Sequence, residues 1–227
     1  MATKLTWLGH GCWSIATGET RLLLDPFLND SPTAPIKAEQ AEADFILVSH
    51  GHFDHVADLV SIAKRTGATV IANFEICEWA GKQGIEKTEP MNTGGGIHLP
   101  FGHVKMTPAH HSSMLPDGAY AGNPVGFLLT LEGRKVYFAC DTGLLSSMKL
   151  IGAAGLDLAV LPIGDRFTMG PDDAIEATKL LQPKRVVPAH YDTWPPIEQD
   201  ARAWAERIKA ETAAEPIVLE PGESLSL

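Results

Sequence analysis

The stretch VSHGHFDH at residues 48–55 places three histidines and one aspartate within six consecutive positions. It continues the apolar run FILV at residues 45–48, whose aliphatic and β-branched side chains predict a buried strand over 45–49. The polar side chains therefore lie where the strand ends and the chain turns. Imidazole nitrogens and carboxylate oxygens in such a position are typical ligands of a divalent metal ion.

Within this stretch the spacing favours two groups of ligands. In an extended segment His50 and His52 point to the same side, because side chains alternate with a period of two, so both can reach one ion. Asp54 and His55 follow as the chain bends and could serve a second ion. A solvated histidine-rich loop or hydrogen-bonded core histidines are the plainer alternatives, and three histidines with an aspartate at this spacing argue against both. Four residues cannot complete two sites, so further ligands are expected at other strand ends.

Later strands end in the same way. Apolar runs predict strands over 103–108, 135–140 and 184–189, and each is followed by polar side chains of the required type. The residues in question are His110 or His111, then Asp141, then His190. With one of His110 and His111 counted, the chain offers seven nitrogen or oxygen ligands, which is enough for two ions that share an aspartate.

Length, composition and charge indicate the class of protein that carries this site. The chain has 227 residues, 44% of them hydrophobic and 20% charged, which predicts one soluble domain over 1–227. A formal net charge of −10 argues against a surface that grips nucleic acid. The start lacks the apolar core of a signal peptide, no run is long enough to span a membrane, and three unevenly spaced cysteines suggest the reducing cytosol.

The order of elements indicates an α/β protein. Apolar spacing predicts helices over 56–66, 171–181 and 195–210, and these helices alternate with the strands. Near the start, two short strands form a predicted hairpin with His10 between two glycines in its turn. His10 is either a plain turn residue or a group of the pocket. Asp25, which precedes a proline, is better explained as a turn carboxylate than as a ligand.

Taken together, these motifs resemble the metallo-β-lactamase superfamily. The resemblance covers nearly the whole chain and points to a group of small metal-dependent hydrolases related to the L-ascorbate-6-phosphate lactonases. It implies a four-layer αββα sandwich with the site at one edge of the two sheets. The segments that carry it, besides HGHFDH at 50–55, are WLGH at 7–10, LDPF at 24–27, CDTG at 140–143, PIGDRFTMGP at 162–171 and PAHY at 188–191.

The resemblance also implies a division of the ligands. The first metal would be held by His50, His52 and His111, where His111 is preferred to His110 because a serine follows it. The second metal would be held by Asp54, His55 and His190. Asp141 would bridge the two. Zinc is the expected metal in a purified sample, and an all-nitrogen and oxygen ligand set also suits manganese or iron.

Such a site predicts a dinuclear hydrolase. Two ions lower the pKa of a bridging water, and the resulting hydroxide would cleave an ester, lactone, amide or phosphoester bond in a small molecule. Asp54 could also orient the nucleophile or take its proton. His10 and Tyr120 are candidates for the acid that protonates the leaving group, with His110 and Tyr191 as further candidates.

Three rival functions share this fold or this site. A phosphodiesterase or nuclease is disfavoured for polynucleotides by the acidic charge and by the lack of a lysine- or arginine-rich segment, while small cyclic nucleotides stay open. A diiron oxidoreductase would typically carry an added redox domain or altered ligands. A metal-bound protein without turnover is the third rival. The sequence leaves the substrate, the metal and a homo-oligomeric state open.

Overall fold

The computed structural model describes residues 3–227, which form two mixed sheets of seven strands each. The first sheet contains Lys4–Trp7 (β1), Trp13–Thr17 (β2), Thr20–Leu24 (β3), Phe45–Leu47 (β4), Thr69–Asn73 (β5), Thr88–Met91 (β6) and Ser224–Ser226 (β14). The second contains Gly96–Leu99 (β7), Gly102–Pro108 (β8), Val125–Leu131 (β9), Arg134–Phe138 (β10), Leu158–Pro162 (β11), Arg185–Ala189 (β12) and Glu215–Pro216 (β13). Strand order is β14-β1-β2-β3-β4-β5-β6 in the first sheet and β13-β12-β11-β10-β9-β8-β7 in the second.

Six α-helices accompany the sheets within the described residues, together with two short 3₁₀ helices at Ala38–Gln40 and Pro195–Ile197. None of these helices is both long and apolar enough to cross a lipid bilayer. The α-helices are Phe53–Val56 (α1), Leu59–Thr66 (α2), Phe74–Lys82 (α3), Met148–Gly152 (α4), Pro171–Leu181 (α5) and Ala201–Glu211 (α6).

Alternation of side chains along the strands explains the layers. On β3, Leu22 and Leu24 face the second sheet, whereas Leu23 faces the opposite way and packs with helices α2 and α3. The outer face of the second sheet is covered by α5 and α6, whose Ile175 and Trp204 belong to the larger core cluster. The order helix, sheet, sheet, helix confirms the expected αββα sandwich.

Two of the three predicted helices differ from the expectation in their limits. In place of one helix over 56–66, α1 ends at Val56 and α2 begins at Leu59. Between them lies Asp58, whose carboxylate accepts hydrogen bonds from the backbone N–H groups of Leu28 and Asn29. The helix expected from residue 195 begins only at Ala201, because the Asp200 carboxylate caps that turn. The helix over 171–181 is confirmed as α5.

Topology brings the polar strand ends together. In the first sheet β3, β4 and β5 are parallel, and in the second β10, β11 and β12 are parallel, so within each set the carboxyl ends share one edge. His50 follows β4, Asp141 follows β10 and His190 follows β12. The predicted hairpin of β1 and β2 is confirmed, and its turn brings His10 to the same edge, where the backbone N–H of His190 donates to the carbonyl of His10 over 3.1 Å.

Candidate metal centre

Three histidines form the first group of ligand atoms. The chain leaves β4 at Leu47 and turns into α1, so that His50 Nε2 comes within 2.9 Å of His52 Nδ1. His111 arrives from the second sheet and places its Nε2 3.2 Å from the same His52 nitrogen. These nitrogens converge within 4.8 Å of one another, which is the arrangement required of three ligands on one ion.

The second group gathers around Asp54. Because α1 begins directly after His52, Asp54 and His55 lie in its first turn and point to the same edge of the sheet. Asp54 Oδ2 lies 3.8 Å from His55 Nε2 and 4.0 Å from His190 Nε2. His10 joins this group, with its Nε2 2.9 Å from Asp54 Oδ2.

Asp141 lies between the two groups. Its Oδ2 is 3.0 Å from His190 Nε2 and 3.4 Å from His55 Nε2 on one side. On the other side the same oxygen is 3.6 Å from His111 Nε2 and 3.9 Å from His50 Nε2. A single carboxylate thus reaches both groups, as a bridging ligand must. All seven predicted ligands are brought together, and their coordination of two ions stays a prediction.

The protonation of the histidines suits metal binding. Burial lowers the pKa of His50 well below its ordinary value, and the proximity of His55 lowers it further. Burial is also the main cause that lowers the pKa of His52 and of His111. At neutral pH these rings are therefore uncharged and keep a lone pair for an ion.

The buried atoms of the second group favour a positive charge between them. His55 Nε2 and His190 Nε2 are buried and make no hydrogen bond, although Asp141 lies at ion-pair distance. Burial opposes the charge of His55, but the carboxylates of Asp141 and Asp25 outweigh it and raise the pKa of His55 well above its ordinary value. Burial would likewise raise the pKa of Asp141, but His190 and His55 hold it well below its usual range. In the metal-free chain a proton therefore supplies the positive charge that an ion would bring, and the donor set fits a divalent metal.

Asp25 contacts the predicted ligand His55 at the ring nitrogen that faces away from the other ligands. It is buried, its Oδ2 lies 2.9 Å from His55 Nδ1, and it accepts hydrogen bonds from the backbone N–H and the hydroxyl of Ser49 over 2.7 and 2.6 Å. The Asp-Pro step explains a turn at the end of β3 but gives no hint of His55, which is 30 residues away. Asp25 fixes the tautomer and ring orientation of that ligand.

Removing the charge of Asp25 is expected to weaken metal binding. The variant Asp25→Asn retains the size of the side chain and tolerates the left-handed backbone at this position, where φ is 46°. We expect metal affinity to fall by about 10- to 100-fold, the usual cost of losing a partner behind a histidine ligand. Competition with a chromophoric chelator measures this change.

A matched control is Asp44→Asn, since Asp44 is exposed and bonds the backbone N–H of Arg21 away from the ligands. Equal affinities of the two variants would contradict the role given to Asp25.

His10 belongs to the site rather than to a plain turn. Its ring is fully buried, with Nδ1 2.7 Å from Thr193 Oγ1 and Nε2 2.9 Å from Asp54 Oδ2. Burial, followed by the proximity of His190, lowers the pKa of His10 to about 3, so the ring is neutral. Nε2–H then donates to the Asp54 carboxylate, and Nδ1 accepts from the Thr193 hydroxyl. Thr193 gave no signal in the sequence.

The other candidate acids lie apart from the ligands. Tyr120 is 66% exposed on the loop after His111, and its backbone pairs with that of Met114. His110 is exposed, whereas His111 points into the cluster, in agreement with the choice between the two. Tyr191 is buried and stacks on Trp7. None of the three lines the cavity above the ligands, and their catalytic roles stay predictions.

A cavity of about 540 Å³ opens above the ligands. Its floor is formed by five of them, on both sides of Asp141. Its walls are largely apolar and contain Phe53, Met114, Leu115, Pro116, Phe167 and Trp194. This volume is typical of a site for a small molecule.

Comparison with known proteins identifies the family of the chain. Residues 20–191 match the family model of the β-lactamase superfamily domain. The chain is 48% identical to a UPF0173 metal-dependent hydrolase of Thermus thermophilus over 224 residues, 99% of each chain, and 46% identical to one of Heliobacterium modesticaldum, covering 98% of this chain and 97% of the relative. A solved structure of a metallo hydrolase from the archaeon Ignicoccus hospitalis superposes with a TM-score of 0.91 at 33% identity, covering 100% of this chain and 99% of the other.

These matches settle the family and the general activity. The family model alone spans most of the chain, and the relatives align from end to end. The closer relationship to the L-ascorbate-6-phosphate lactonases stays a prediction. The chain belongs to the metallo-β-lactamase superfamily, within which it is a metal-dependent hydrolase of the UPF0173 group.

Proposed function

We propose that the protein is a dinuclear hydrolase that cleaves an ester, lactone, amide or phosphoester bond in a small molecule. The observation that carries this proposal is the position of Asp141, whose one carboxylate oxygen faces both ligand groups at 3.0–3.9 Å. When bound, two divalent ions lower the pKa of a water between them and polarise the bond that is attacked. Zinc is the first choice for a nitrogen-rich site, with manganese or iron as alternatives.

The residues around Asp54 position the reactants. Burial would raise the pKa of Asp54, but the hydrogen bond from His10 and the charge of His55 outweigh it and lower that pKa, so the carboxylate is ionised at neutral pH. The Thr193 hydroxyl fixes His10, and His10 Nε2–H fixes Asp54 Oδ2. The Asp54 carboxylate is thereby held in one orientation at the cavity floor, where it can accept a proton from an attacking water.

Compartment and partners are part of the same proposal. The described residues contain three free cysteines, of which two are buried, and this fits a reducing cytosol. The cavity is sized for a small-molecule substrate, and the acidic chain disfavours nucleic acid.

Metal content and hydrolysis measured together test the proposal. The full chain is stripped with a chelator, reloaded separately with zinc, manganese or ferrous iron, and analysed for bound metal by mass spectrometry. We expect two ions per chain, and turnover of at least one member of a set containing an aryl ester, a lactone, an amide and a phosphodiester only after loading. Less than one ion per chain, or no turnover by the loaded protein across the set, would overturn the proposal.

A further inference from the structure

The cavity above the ligands carries an unusual number of exposed apolar side chains. Phe53 is 54% exposed, Phe167 is 55% exposed and Met114 is 58% exposed, and all three line this cavity. A soluble protein normally shields side chains of this size, and a contiguous apolar patch beside polar groups marks a binding surface. Since the patch is continuous with the predicted metal ligands, a molecule held at those ligands would also contact it.

Phe53 is fixed in place by its neighbours. It lies in the ligand motif itself, between His52 and Asp54, and its ring packs edge-on against the buried Phe27 with centroids 5.7 Å apart. Trp194 lies 6.1 Å away on the same wall. One wall of the cavity is therefore a rigid aromatic surface adjoining the second ligand group.

Phe167 lines another part of the cavity and follows directly after a strained turn. Asp165 and Arg166 adopt left-handed conformations with φ of 60° and 43°, which cost about 1–2 kcal/mol each in non-glycine residues. Hydrogen bonds between the backbone of Asp165 and those of Thr168 and Met169 maintain the turn. Strain maintained around an exposed aromatic ring is typical of a functional position.

The described side chains that line the cavity supply no cationic group of their own for an anionic substrate. Among the described residues that line it, none is lysine or arginine. The Arg166 guanidinium lies nearby, but it sits over the Phe167 ring, 5.3 Å from the centroid, and does not line the cavity. Phosphate-binding sites usually supply arginine or lysine for the oxygens that the metals do not hold.

We propose that the substrate is an uncharged carboxyl ester, lactone or amide with an aromatic or bulky apolar group, held by Phe53, Phe167 and Trp194. This inference rests on the proposed hydrolytic function and deepens it. In the reaction, the hydroxyl of water is added to the acyl carbon, the carbon–oxygen or carbon–nitrogen bond breaks, and the remaining proton goes to the leaving oxygen or nitrogen. The apolar group stays against the aromatic wall while the acyl carbon faces the ligands.

The first experiment compares substrates with the same nitrophenyl leaving group on the metal-loaded full chain. We expect kcat/KM for 4-nitrophenyl phenylacetate to exceed that for the acetate by about 10-fold or more, because burial of the extra ring contributes at least 1.4 kcal/mol. Bis(4-nitrophenyl) phosphate is expected to be a worse substrate than either. Phe53→Ala and Phe167→Ala should remove most of the preference for the phenylacetate with bound metal unchanged.

The second experiment measures binding without metal or turnover. The neutral fluorophore N-phenyl-1-naphthylamine is titrated into the metal-free chain, where we expect saturable binding that Phe53→Ala and Phe167→Ala each weaken by about 10-fold. Phe74→Ala is the matched control, because Phe74 is also 54% exposed but does not line the cavity. It should leave both the titration and the substrate preference unchanged.

The outcomes separate this inference from the hydrolytic function. If no substrate turns over but the fluorophore binds with the expected dependence on Phe53 and Phe167, the hydrolytic proposal fails and the apolar site stands. If the phosphodiester is the better substrate, or if all variants bind the fluorophore equally, the inference is overturned while hydrolysis can stand.

Discussion

Replacing His52 by alanine is expected to remove the first metal ion and lower hydrolysis by about a thousand-fold. His52 Nδ1 lies at 2.9 and 3.2 Å from the ligand atoms of His50 and His111, so its loss leaves two nitrogens where three converge. A metal contributes several kcal/mol of charge stabilisation to the reaction, and each 1.36 kcal/mol changes the rate about tenfold. Metal analysis and kcat/KM of the loaded variant measure both effects.

The control for this variant is another histidine of the same chain. His98 on β7 is exposed and lies outside the ligand groups, so His98→Ala should retain both ions and full activity. A His52→Ala protein that still bound two ions and hydrolysed its substrate at the normal rate would refute the assignment of the first group.

Removal of the metal is expected to lower the melting temperature substantially. The ligands come from both sheets, His50 and His55 from the first and Asp141 and His190 from the second, so an ion joins them only in the folded chain. An ion present at 1,000 times its Kd stabilises the native state by about 4 kcal/mol. For a chain of this size that corresponds to a shift of roughly 10 °C per ion, measurable by calorimetry with and without chelator.

The His52→Ala variant sharpens this measurement. Because it should bind one ion fewer, chelation is expected to lower its melting temperature by roughly half as much as in the parent chain. Equal melting temperatures of the loaded and stripped parent chain would show that the cluster does not hold metal in the native state.

The ligand hypothesis could be drawn from the sequence because its signal is local. Each of His50, Asp141 and His190 follows a strand of a parallel set, and the carboxyl ends of such strands meet at one edge of their sheet. His111 follows β8, which is antiparallel to β9 and therefore runs in the direction of β10, and its apolar run alone does not show this. The α/β class followed from the alternation of strands and helices, and the four layers were implied by the family resemblance. The choice of His111 over His110 came from the family pattern, in which a serine follows the ligand, and the half-buried His111 lies in the cluster while His110 is exposed.

The groups behind the ligands could not be predicted, because their contacts link distant parts of the chain. Thr193 meets His10 across 183 residues, and Asp25 meets His55 across 30. The periodicity of apolar residues in the sequence does not predict such contacts, because each depends on where two loops lie in the folded chain. The position of Phe167 in the cavity wall could not be predicted for a related reason, because it depends on the left-handed turn that precedes it.

The helix expected from residue 195 shows a different limit. The apolar spacing that predicts this helix puts Ile197, Ala201, Trp204 and Ile208 on its inward face, and all four residues are buried. It could not show where the helix begins, because Ile197 belongs to a separate 3₁₀ turn that shares the same spacing. The Asp200 cap was the stronger signal.

The division of the ligands between two sheets makes the separation of those sheets a chemical variable. Trp13 from the first sheet and Phe138 from the second pack edge-on, with ring centroids 5.9 Å apart, directly beneath Asp141 and His190. Protein interiors are close-packed, so a change in volume there would shift one set of ligands against the other. Each ligand group draws on both sheets, so core residues that never meet the substrate would act as a spacer for both groups, and substitutions at these positions would change metal affinity and reactivity without altering any ligand.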